Sequence, residues 1–425
     1  METYADVMTW LQAHRTFGIK PGLKRVEYLL AALENPERRL LSIHIAGTNG
    51  KGSTLAYVRA ILQESGLEVG TFTSPYIVQF EERVSVNGTP IHREDFVSAA
   101  RVVAPHARAL ADTEWGPPTE FELLTVIAMW HFAKVAVPDI VIWEVGLGGR
   151  LDATNVIQPI LTAMTNIGMD HMHILGSDLQ AIAGEKAGIM KPAVPVITAS
   201  QKSEAAEVIR VHAREKRAPY YALDDHFEIT AGQIAEDGGT LSVRTPFHHY
   251  HDLYVSLRGQ HQLENGAVAV MIADYLRVYR SFPIDEASVQ NGLAQAYWPG
   301  RLEMLHTTPP VLVDGAHNPE GIARLARFLE EMYADKDIHI LTAVTEEKDS
   351  AVMFEPLLAL QPKSFAISTF AHPRAADPNH SPLNAEIFMD WKEGYDELLR
   401  RVNVTGIIVI TGSLFFISEV RAHLL

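Results

Sequence analysis

A chain of 425 residues is too long for one compact core and suggests two domains, and its composition, 47% hydrophobic and 21% charged, is typical of folded proteins. The formal net charge of −16 disfavours nucleic acid as a partner, although a few local cations and a metal ion could still hold one nucleotide. The lack of cysteine excludes disulfide bonds and thiolate metal sites.

The two segments that bear on location argue against export and membrane insertion. Residues 1–14 mix acidic and apolar side chains in a helix-like pattern, without the basic start and apolar core of a signal peptide. The longest apolar stretch, residues 404–417, is interrupted by glycine and serine and is too short to span a bilayer. We therefore expect a cytoplasmic protein without a membrane partner.

Short apolar strands and helices alternate along the first half of the chain. A strand is predicted at residues 41–46, followed by a glycine-rich turn and a helix at residues 53–65. Further helices are predicted at residues 121–135 and 204–216, and further strands at 139–143, 159–165 and 194–198. This alternation indicates an α/β fold with a parallel, doubly wound sheet, whose ligands bind just beyond the strand ends.

The pattern changes twice in the second half. Residues 227–257 alternate in a strand-like manner, which predicts a small β excursion before a helix at residues 265–279. A second series of alternating strands and helices begins near residues 297–301, with strands predicted at residues 310–313, 338–344, 364–368 and 406–411. We therefore expect an N-terminal P-loop domain of residues 1–295 and a smaller, Rossmann-like C-terminal α/β domain of residues 296–425.

The glycine-rich segment after the first strand predicts a phosphate-binding loop. Backbone N–H groups and a helix N-terminus attract anions, Lys51 adds a charge for β- and γ-phosphates, and a nearby hydroxyl can ligate Mg²⁺. The spacing departs from the usual phosphate loop, because Ile45 stands five residues before Gly50, and Gly52 follows Lys51. Glycine alone would permit a simple turn, so the flanking strand and helix decide for phosphate. The segment comprises Gly47, Thr48, Asn49, Gly50, Lys51, Gly52, Ser53 and Thr54.

Charged residues also follow two later strands. Glu144, at the exit of the strand at residues 139–143, is well placed for a hard cation, although it could equally cap a helix or turn. His171 and His173 follow the next strand, and their residue type alone favours structural roles, because imidazole is an uncommon magnesium ligand. Lys186, near a metal–phosphate site, would need to bind phosphate or carry a modification.

Five motifs that occur in one order along the chain resemble those of a known family. The segment at residues 144–156, Glu-Val-Gly-Leu-Gly-Gly-Arg-Leu-Asp-Ala-Thr-Asn-Val, is the most specific of them. Together the motifs resemble folylpolyglutamate synthases and dihydrofolate synthases of the Mur ligase superfamily over nearly the whole chain. The other four are residues 47–53, the pair Asp170-His171, residues 185–189 and residues 314–318.

The resemblance implies an ATP-dependent ligase that activates a folate carboxylate as an acyl phosphate and joins L-glutamate to it. Two Mg²⁺ sites are implied, one held by Ser53 and Glu144 and a second held by His171 with Glu144. The resemblance also implies that Lys186 is carbamylated, which would turn a cation into an anion that tolerates nearby Mg²⁺. Its implied catalytic residues are Lys51, Glu144, His171 and Lys186.

Further binding residues are implied by the same resemblance. Asn265, Arg301, Asp314 and His317 correspond to residues that contact ATP. A loop that contacts folate corresponds to Thr73, Ser74, Pro75 and Tyr76 and continues to residues 80–83. Other roles stay open for some of them: a helix cap, a surface ion pair or a turn former for the first set, and loop rigidity for the second. Tyr76 departs from the histidine usual in relatives.

The motifs for ATP and metal ions are compatible with two acceptors and bear on two rival functions. We favour tetrahydrofolate, with dihydropteroate as an additional or the main acceptor left open, because one chemistry serves both. A cell-wall Mur ligase is disfavoured, because its additional N-terminal domain would have no room before Gly47. A P-loop switch without ligase activity is disfavoured by the second domain and the complete motif set. The resemblance implies a monomer.

Overall fold

The computed structural model describes residues 1–15, 22–200 and 202–425, and it divides the chain into two compact units. The first unit contains residues 1–230, 242–253 and 264–295. The second contains residues 231–241, 254–263 and 296–425, so its main segment starts at residue 296 and is joined by two short earlier segments.

The first unit is built largely from the N-terminal half of the chain. Its elements up to residue 222 are α1 (Tyr4–Ala13), α2 (Lys24–Ala32), β1 (Ser42–Ala46), α3 (Lys51–Glu64), β2 (Val69–Phe72), β3 (Val84–Val86), β4 (Thr89–Pro90), α4 (Arg93–Ala111), α5 (Glu120–His131), β5 (Ile140–Glu144), β6 (Leu161–Met164), α6 (Met172–Leu175), α7 (Leu179–Ala187), β7 (Val196–Thr198), α8 (Ser203–Glu215) and β8 (Tyr220–Ala222).

These strands form one sheet in the order β4-β3-β2-β5-β1-β6-β7-β8. The strands from β2 to β8 in this order run parallel, and β3 and β4 add an antiparallel hairpin at one edge. Strands β1 and β5 are buried along their whole length, as expected for a parallel sheet covered on both faces. The predicted α/β fold class is confirmed.

The helix predicted at residues 121–135 is α-helical only as far as His131. A single π-helical turn, Phe132–Ala136, follows it, with the Val137 N–H donating to the Phe132 carbonyl at 3.0 Å. Val137 has a φ of +46° and precedes Pro138, which prevents the helix from continuing.

The predicted β excursion is confirmed as a three-stranded sheet in the order β11-β10-β9, followed by two helices. Its strands are divided between the two units, and α10 of the first unit packs on α3, where Gly292 lies against the backbone of Ile61. The elements are β9 (Glu228–Ala235), β10 (Gly238–Arg244), β11 (His249–Val255), α9 (Gln260–Arg280) and α10 (Glu286–Gln295).

The second unit contains a six-stranded sheet in the order β12-β13-β17-β14-β15-β16. All its pairings are parallel except that of β12 with β13, and apolar clusters cover both faces. Its elements are β12 (Glu303–Thr307), β13 (Pro310–Asp314), α11 (Pro319–Met332), β14 (Asp337–Thr342), α12 (Ser350–Ala359), β15 (Ser364–Ser368), β16 (Glu386–Phe388), α13 (Trp391–Arg401), β17 (Gly406–Thr411) and α14 (Leu414–Leu424).

Across the described ranges, we find no helix with both the length and the apolar character needed to cross a lipid bilayer.

Candidate active site

Three neighbouring strands at the centre of the first sheet place the predicted loops side by side. Strand β1 pairs with β5, where Ile45 lies opposite Glu144, and with β6, where Ala46 lies opposite Met164. Because parallel strands end at the same edge of a sheet, the phosphate loop at residues 47–50 lies between Glu144 and the segment after β6.

The phosphate loop needs glycine at two positions. Gly47 has a φ of +151° and Gly50 a φ of +88°. A side chain at Gly47 would collide with Thr165, and one at Gly50 with Asn265. The hydroxyl of Thr54 also lies 3.5 Å from Asn265 Oδ1. The structure therefore brings Asn265 to the loop, within the first unit.

The segment after β6 holds the phosphate loop in shape. The Thr48 N–H donates to the Asn166 carbonyl and the Asn49 N–H donates to Asn166 Oδ1, both at 2.8 Å. The Thr165 hydroxyl donates to the Asn49 carbonyl at 2.6 Å. No role is predicted for Thr165 or Asn166 from the sequence, and the signal that points to them is their position as polar residues at the end of a parallel strand.

Two lysines converge on one backbone carbonyl of this loop. Lys51 Nζ donates to the Gly47 carbonyl at 3.2 Å and to the Thr48 carbonyl at 3.3 Å, and Lys186 Nζ donates to the same Gly47 carbonyl at 2.9 Å. Lys186 is buried, and burial, followed by the charge of Lys51, lowers its pKa to about 7. The Lys186 amine is therefore partly neutral near neutral pH.

The oxygen donors proposed for Mg²⁺ lie on two neighbouring elements. Ser53 is buried in the first turn of α3, and Glu144 is buried at the end of β5, where its Oε2 accepts the Ser74 N–H at 3.1 Å. Within the described ranges, no group of three or more His, Asp or Glu side chains is arranged for a metal ion. A hydroxyl and one carboxylate nevertheless fit Mg²⁺, which commonly takes its remaining ligands from phosphates and water.

His171 lies on the segment after β6, with a φ of +50° and a side chain that is 44% exposed. Its Nε2 is 4.0 Å from Asp170 Oδ1, and its ring centroid is 6.3 Å from that of His173. His171 therefore lies at the same edge of the sheet as the phosphate loop.

The predicted folate loop follows β2 and lies next to Glu144. Besides the Ser74 contact, the Thr73 N–H donates to the Arg83 carbonyl at 3.0 Å. The Tyr76 ring packs edge-on against Phe80, with 5.7 Å between centroids. The loop is therefore tied both to the end of β5 and to the turn before β3.

The remaining predicted residues lie together in the second unit. Asp314, at the end of β13, is buried and accepts the N–H groups of Leu302 and Ala316, both at 2.9 Å. Burial raises the Asp314 pKa, and the charge of Arg301 opposes this shift. His317 Nδ1 lies 2.7 Å from the Gly315 carbonyl. The structure thus brings Arg301, Asp314 and His317 into one turn region of that unit.

Known protein families and individual relatives match most of the chain. The Mur ligase middle domain matches residues 45–273, and the Mur ligase glutamate ligase domain matches residues 300–414. The chain is 41% identical to the dihydrofolate synthase/folylpolyglutamate synthase of Bacillus subtilis, covering 99% of both proteins. It is 32% identical to the folylpolyglutamate synthase of Lacticaseibacillus casei, again covering 99% of both.

Solved structures agree with these matches. The Mycobacterium tuberculosis folylpolyglutamate synthase complexed with ADP superposes with a TM-score of 0.91 at 30% identity, covering 99% of this chain and 98% of that one. A folylpolyglutamate synthase complex with AMPPCP and folate gives a TM-score of 0.89 at 31% identity, covering 100% of both chains. The chain therefore belongs to the folylpolyglutamate synthase/dihydrofolate synthase family of Mur ligases, a family of ATP-dependent, amide-forming ligases.

Proposed function

We propose that this chain joins L-glutamate to the γ-carboxylate of a reduced folate, with ATP as the energy source and an acyl phosphate as the intermediate. The observation that carries this proposal is the phosphate loop at the centre of the sheet, with two lysines on its Gly47 carbonyl and Glu144 on the adjacent strand. Full-length similarity to relatives with this activity in their names supports the same assignment.

The residues of the first unit suit phosphoryl transfer to a carboxylate. The backbone N–H groups of Gly50, Gly52 and Ser53 and the Lys51 charge would hold the triphosphate in position. Gly47, Thr48, Asn49 and Thr54 would shape the loop around it, since the N–H groups of Thr48, Asn49 and Thr54 bond within the protein. Ser53 and Glu144 would hold one Mg²⁺, and His171 with Glu144 a second. Bound there, Mg²⁺ would offset the negative charge that builds up during transfer. The amine of glutamate would then attack the activated carboxylate, and phosphate would leave.

We also assign Lys186 as a carbamylated residue. Carbamate formation requires a neutral amine, and the lowered pKa of Lys186, about 7, makes that form accessible near neutral pH. The anionic product would also relieve the repulsion between Lys186 and Lys51. A ¹³C carbonyl signal after incubation with ¹³C-bicarbonate, lost in Lys186→Arg, is the expected result. Equal signals from both proteins would refute this assignment.

The remaining assignments follow the family pattern. Asn265, Arg301, Asp314 and His317 are assigned to ATP, and Thr73, Ser74, Pro75 and Tyr76 to the folate. We further propose that the protein acts in the cytoplasm as a monomer, with residues 1–295 binding ATP and residues 296–425 serving glutamate ligation. Deleting the Asn265 amide in Asn265→Ala should raise the KM for ATP and leave the KM for the acceptor unchanged.

A second candidate acceptor is dihydropteroate, which dihydrofolate synthases extend with a first glutamate. It is favoured by the Bacillus subtilis relative, whose name carries both activities and which matches this chain along its whole length. We propose tetrahydrofolate as the main acceptor and dihydropteroate as an additional one.

Product mass separates these possibilities. The purified protein would be incubated with Mg-ATP, glutamate and bicarbonate, with tetrahydrofolate or dihydropteroate offered separately. A glutamate-sized mass increment on tetrahydrofolate alone would mean a folylpolyglutamate synthase, and increments on both would mean a bifunctional enzyme. No increment on either acceptor, with ATP still hydrolysed, would refute the proposed substrate.

A further inference from the structure

Arg83 carries a positive charge that the described part of the protein does not neutralise by direct contact. It ends a 3-10 turn, Phe80–Arg83, just before β3. The side chain is half-buried, and its Nε is shielded from solvent without a hydrogen-bond partner. Among residues 1–15, 22–200 and 202–425, the Arg83 guanidinium makes no hydrogen bond or ion pair.

The two acids that precede Arg83 are both engaged elsewhere. Glu81 pairs with Arg93 at 2.5 Å. Glu82 accepts the N–H groups of Ile77, Val78 and Gln79 at 3.0 to 3.1 Å and so shapes the loop before the turn. Neither acid compensates Arg83, although both are its neighbours in sequence.

More distant acids also leave the guanidinium unpaired. Burial lowers the Arg83 pKa, and the charges of Glu120 and Glu144 oppose this shift without bonding to Arg83. Glu120 lies 3.5 Å from the Nε of Arg15. The rings of Tyr76 and Phe80 lie 5.4 and 5.6 Å from Arg83 Cζ and stabilise the charge only by about 1 kcal/mol each.

An arginine in such a place is ready to bind an anion. Moving an unpaired charge out of water costs several kcal/mol of free energy. This cost is larger than the stabilisation that two cation–π contacts provide. The planar guanidinium matches a carboxylate with two parallel hydrogen bonds, and a site prepared in advance avoids reorganisation during the reaction.

The position of Arg83 identifies the anion. Its carbonyl accepts the Thr73 N–H, and the next residue, Ser74, donates its N–H to Glu144. Arg83 is thus attached to the loop that we assign to the folate, on the side of the proposed metal ligand. The lysines that serve the phosphate loop, Lys51 and Lys186, lie on other elements. The geometry therefore points to the acceptor and not to the nucleotide.

We propose that the Arg83 guanidinium binds the acceptor carboxylate that becomes phosphorylated, and so positions it for transfer. This inference rests on the proposed function and adds a specific residue to it. Each acceptor presents one carboxylate for phosphorylation, the γ-carboxylate of the glutamyl residue in tetrahydrofolate and the benzoate carboxylate in dihydropteroate, and Arg83 would bind either one.

Kinetics of Arg83→Gln test the proposal at saturating Mg-ATP and glutamate. We expect the KM for either acceptor to rise about 10- to 150-fold, as for loss of a charge-assisted hydrogen-bonded pair, with the KM for ATP unchanged within twofold. Arg83→Lys keeps the charge but loses the bidentate geometry, and it should fall between wild type and Arg83→Gln. An unchanged acceptor KM, a parallel rise in the KM for ATP, or an effect on only one acceptor would overturn the proposal.

A control variant and a binding measurement separate the role of Arg83 from other effects of the substitution. Arg101→Gln is a matched control, because Arg101 is on α4 and donates to the backbone carbonyls of Met1 and Glu2. Equilibrium dialysis of folate in the presence of AMPPCP measures acceptor affinity without turnover. Wild type that fails to ligate either acceptor would refute the proposed function, whereas equal folate affinities of wild type and Arg83→Gln would refute the role of Arg83.

Discussion

Gly149→Ala should displace the helix that carries Lys186. A Cβ at Gly149 would lie 2.8 Å from the Glu185 carbonyl oxygen and 2.9 Å from that of Lys186, whereas ordinary contacts begin at 3.4 Å. Either the loop or the end of α7 must therefore move by about half an ångström, and both neighbouring atoms are backbone. Such overpacking costs about 1–3 kcal/mol. The Lys186 contact with Gly47 should lengthen as a result.

Gly184→Ala is the matched control on the same helix. Among the described residues, no atom beyond the neighbouring residues and the backbone of the helix itself lies within 4 Å of a Cβ at Gly184, so this substitution should stabilise the helix by about 0.5–1 kcal/mol. The thermal unfolding midpoint should be roughly 5 °C lower in Gly149→Ala than in wild type and slightly higher in Gly184→Ala.

Activity gives an independent readout of the same displacement. Small misplacement of a group that acts on phosphate transfer lowers turnover strongly, so kcat should fall about 10- to 100-fold in Gly149→Ala and stay near wild type in Gly184→Ala. If the two variants unfold at the same temperature and turn over equally, the close packing of Gly149 on α7 is irrelevant and the reasoning is wrong.

Three other substitutions address separate parts of the structure. Glu144→Ala should abolish ligation under saturating Mg-ATP, and unchanged product formation would remove Glu144 from the mechanism. Arg421→Gln should destabilise the second unit by about 3 kcal/mol, because Arg421 pairs with the largely buried Glu303 at 2.9 Å. Burial raises the Glu303 pKa, but hydrogen bonds from Arg421, Tyr297 and the Gly300 N–H, with the charge of Arg421, together outweigh burial and hold the pKa below its ordinary 4.5. The stability that this carboxylate contributes is therefore present above pH 4.5 and lost as the pH falls further. The acid-induced loss, followed by thermal unfolding, should therefore be smaller in Arg421→Gln. Thr154→Val should lower the thermal unfolding midpoint by a few degrees relative to Thr154→Ser, because the Thr154 hydroxyl lies 2.8 Å from the buried His44 Nε2 and satisfies its hydrogen-bonding requirement.

The local pattern predicted the architecture of the first unit well. The apolar run at residues 41–46, followed by glycines and a helical pattern, corresponds to β1, the phosphate loop and α3. These features depend on short-range periodicity and on backbone conformations that favour glycine, both of which are visible in a single sequence.

Features that depend on distant neighbours were not predictable in the same way. The side chains of Thr165 and Asn166 hold the phosphate loop because β6 lies next to β1, and no local signal specifies that neighbour. The same holds for the lowered pKa of Lys186, which depends on burial and on Lys51, 135 positions earlier in the sequence. The membership of residues 231–241 and 254–263 in the second unit is also a long-range property.

The proximity of Lys51 and Lys186 connects the protonation of Lys186 with its proposed carbamylation. Lys51 and Lys186 donate to the same Gly47 carbonyl, so two ammonium groups there repel each other in a partly dry environment. Lys186 is buried, and burial, followed by the charge of Lys51, lowers its pKa to about 7. Lys186 can therefore become neutral or, once carbamylated, anionic, and either form ends its repulsion with the Lys51 ammonium. The ¹³C-carbamate signal should therefore increase as the pH rises through 7, because a larger fraction of the Lys186 amine is then neutral. A signal that stays constant between pH 6 and 8 at a fixed concentration of dissolved CO₂ would show that burial of this lysine does not control its modification.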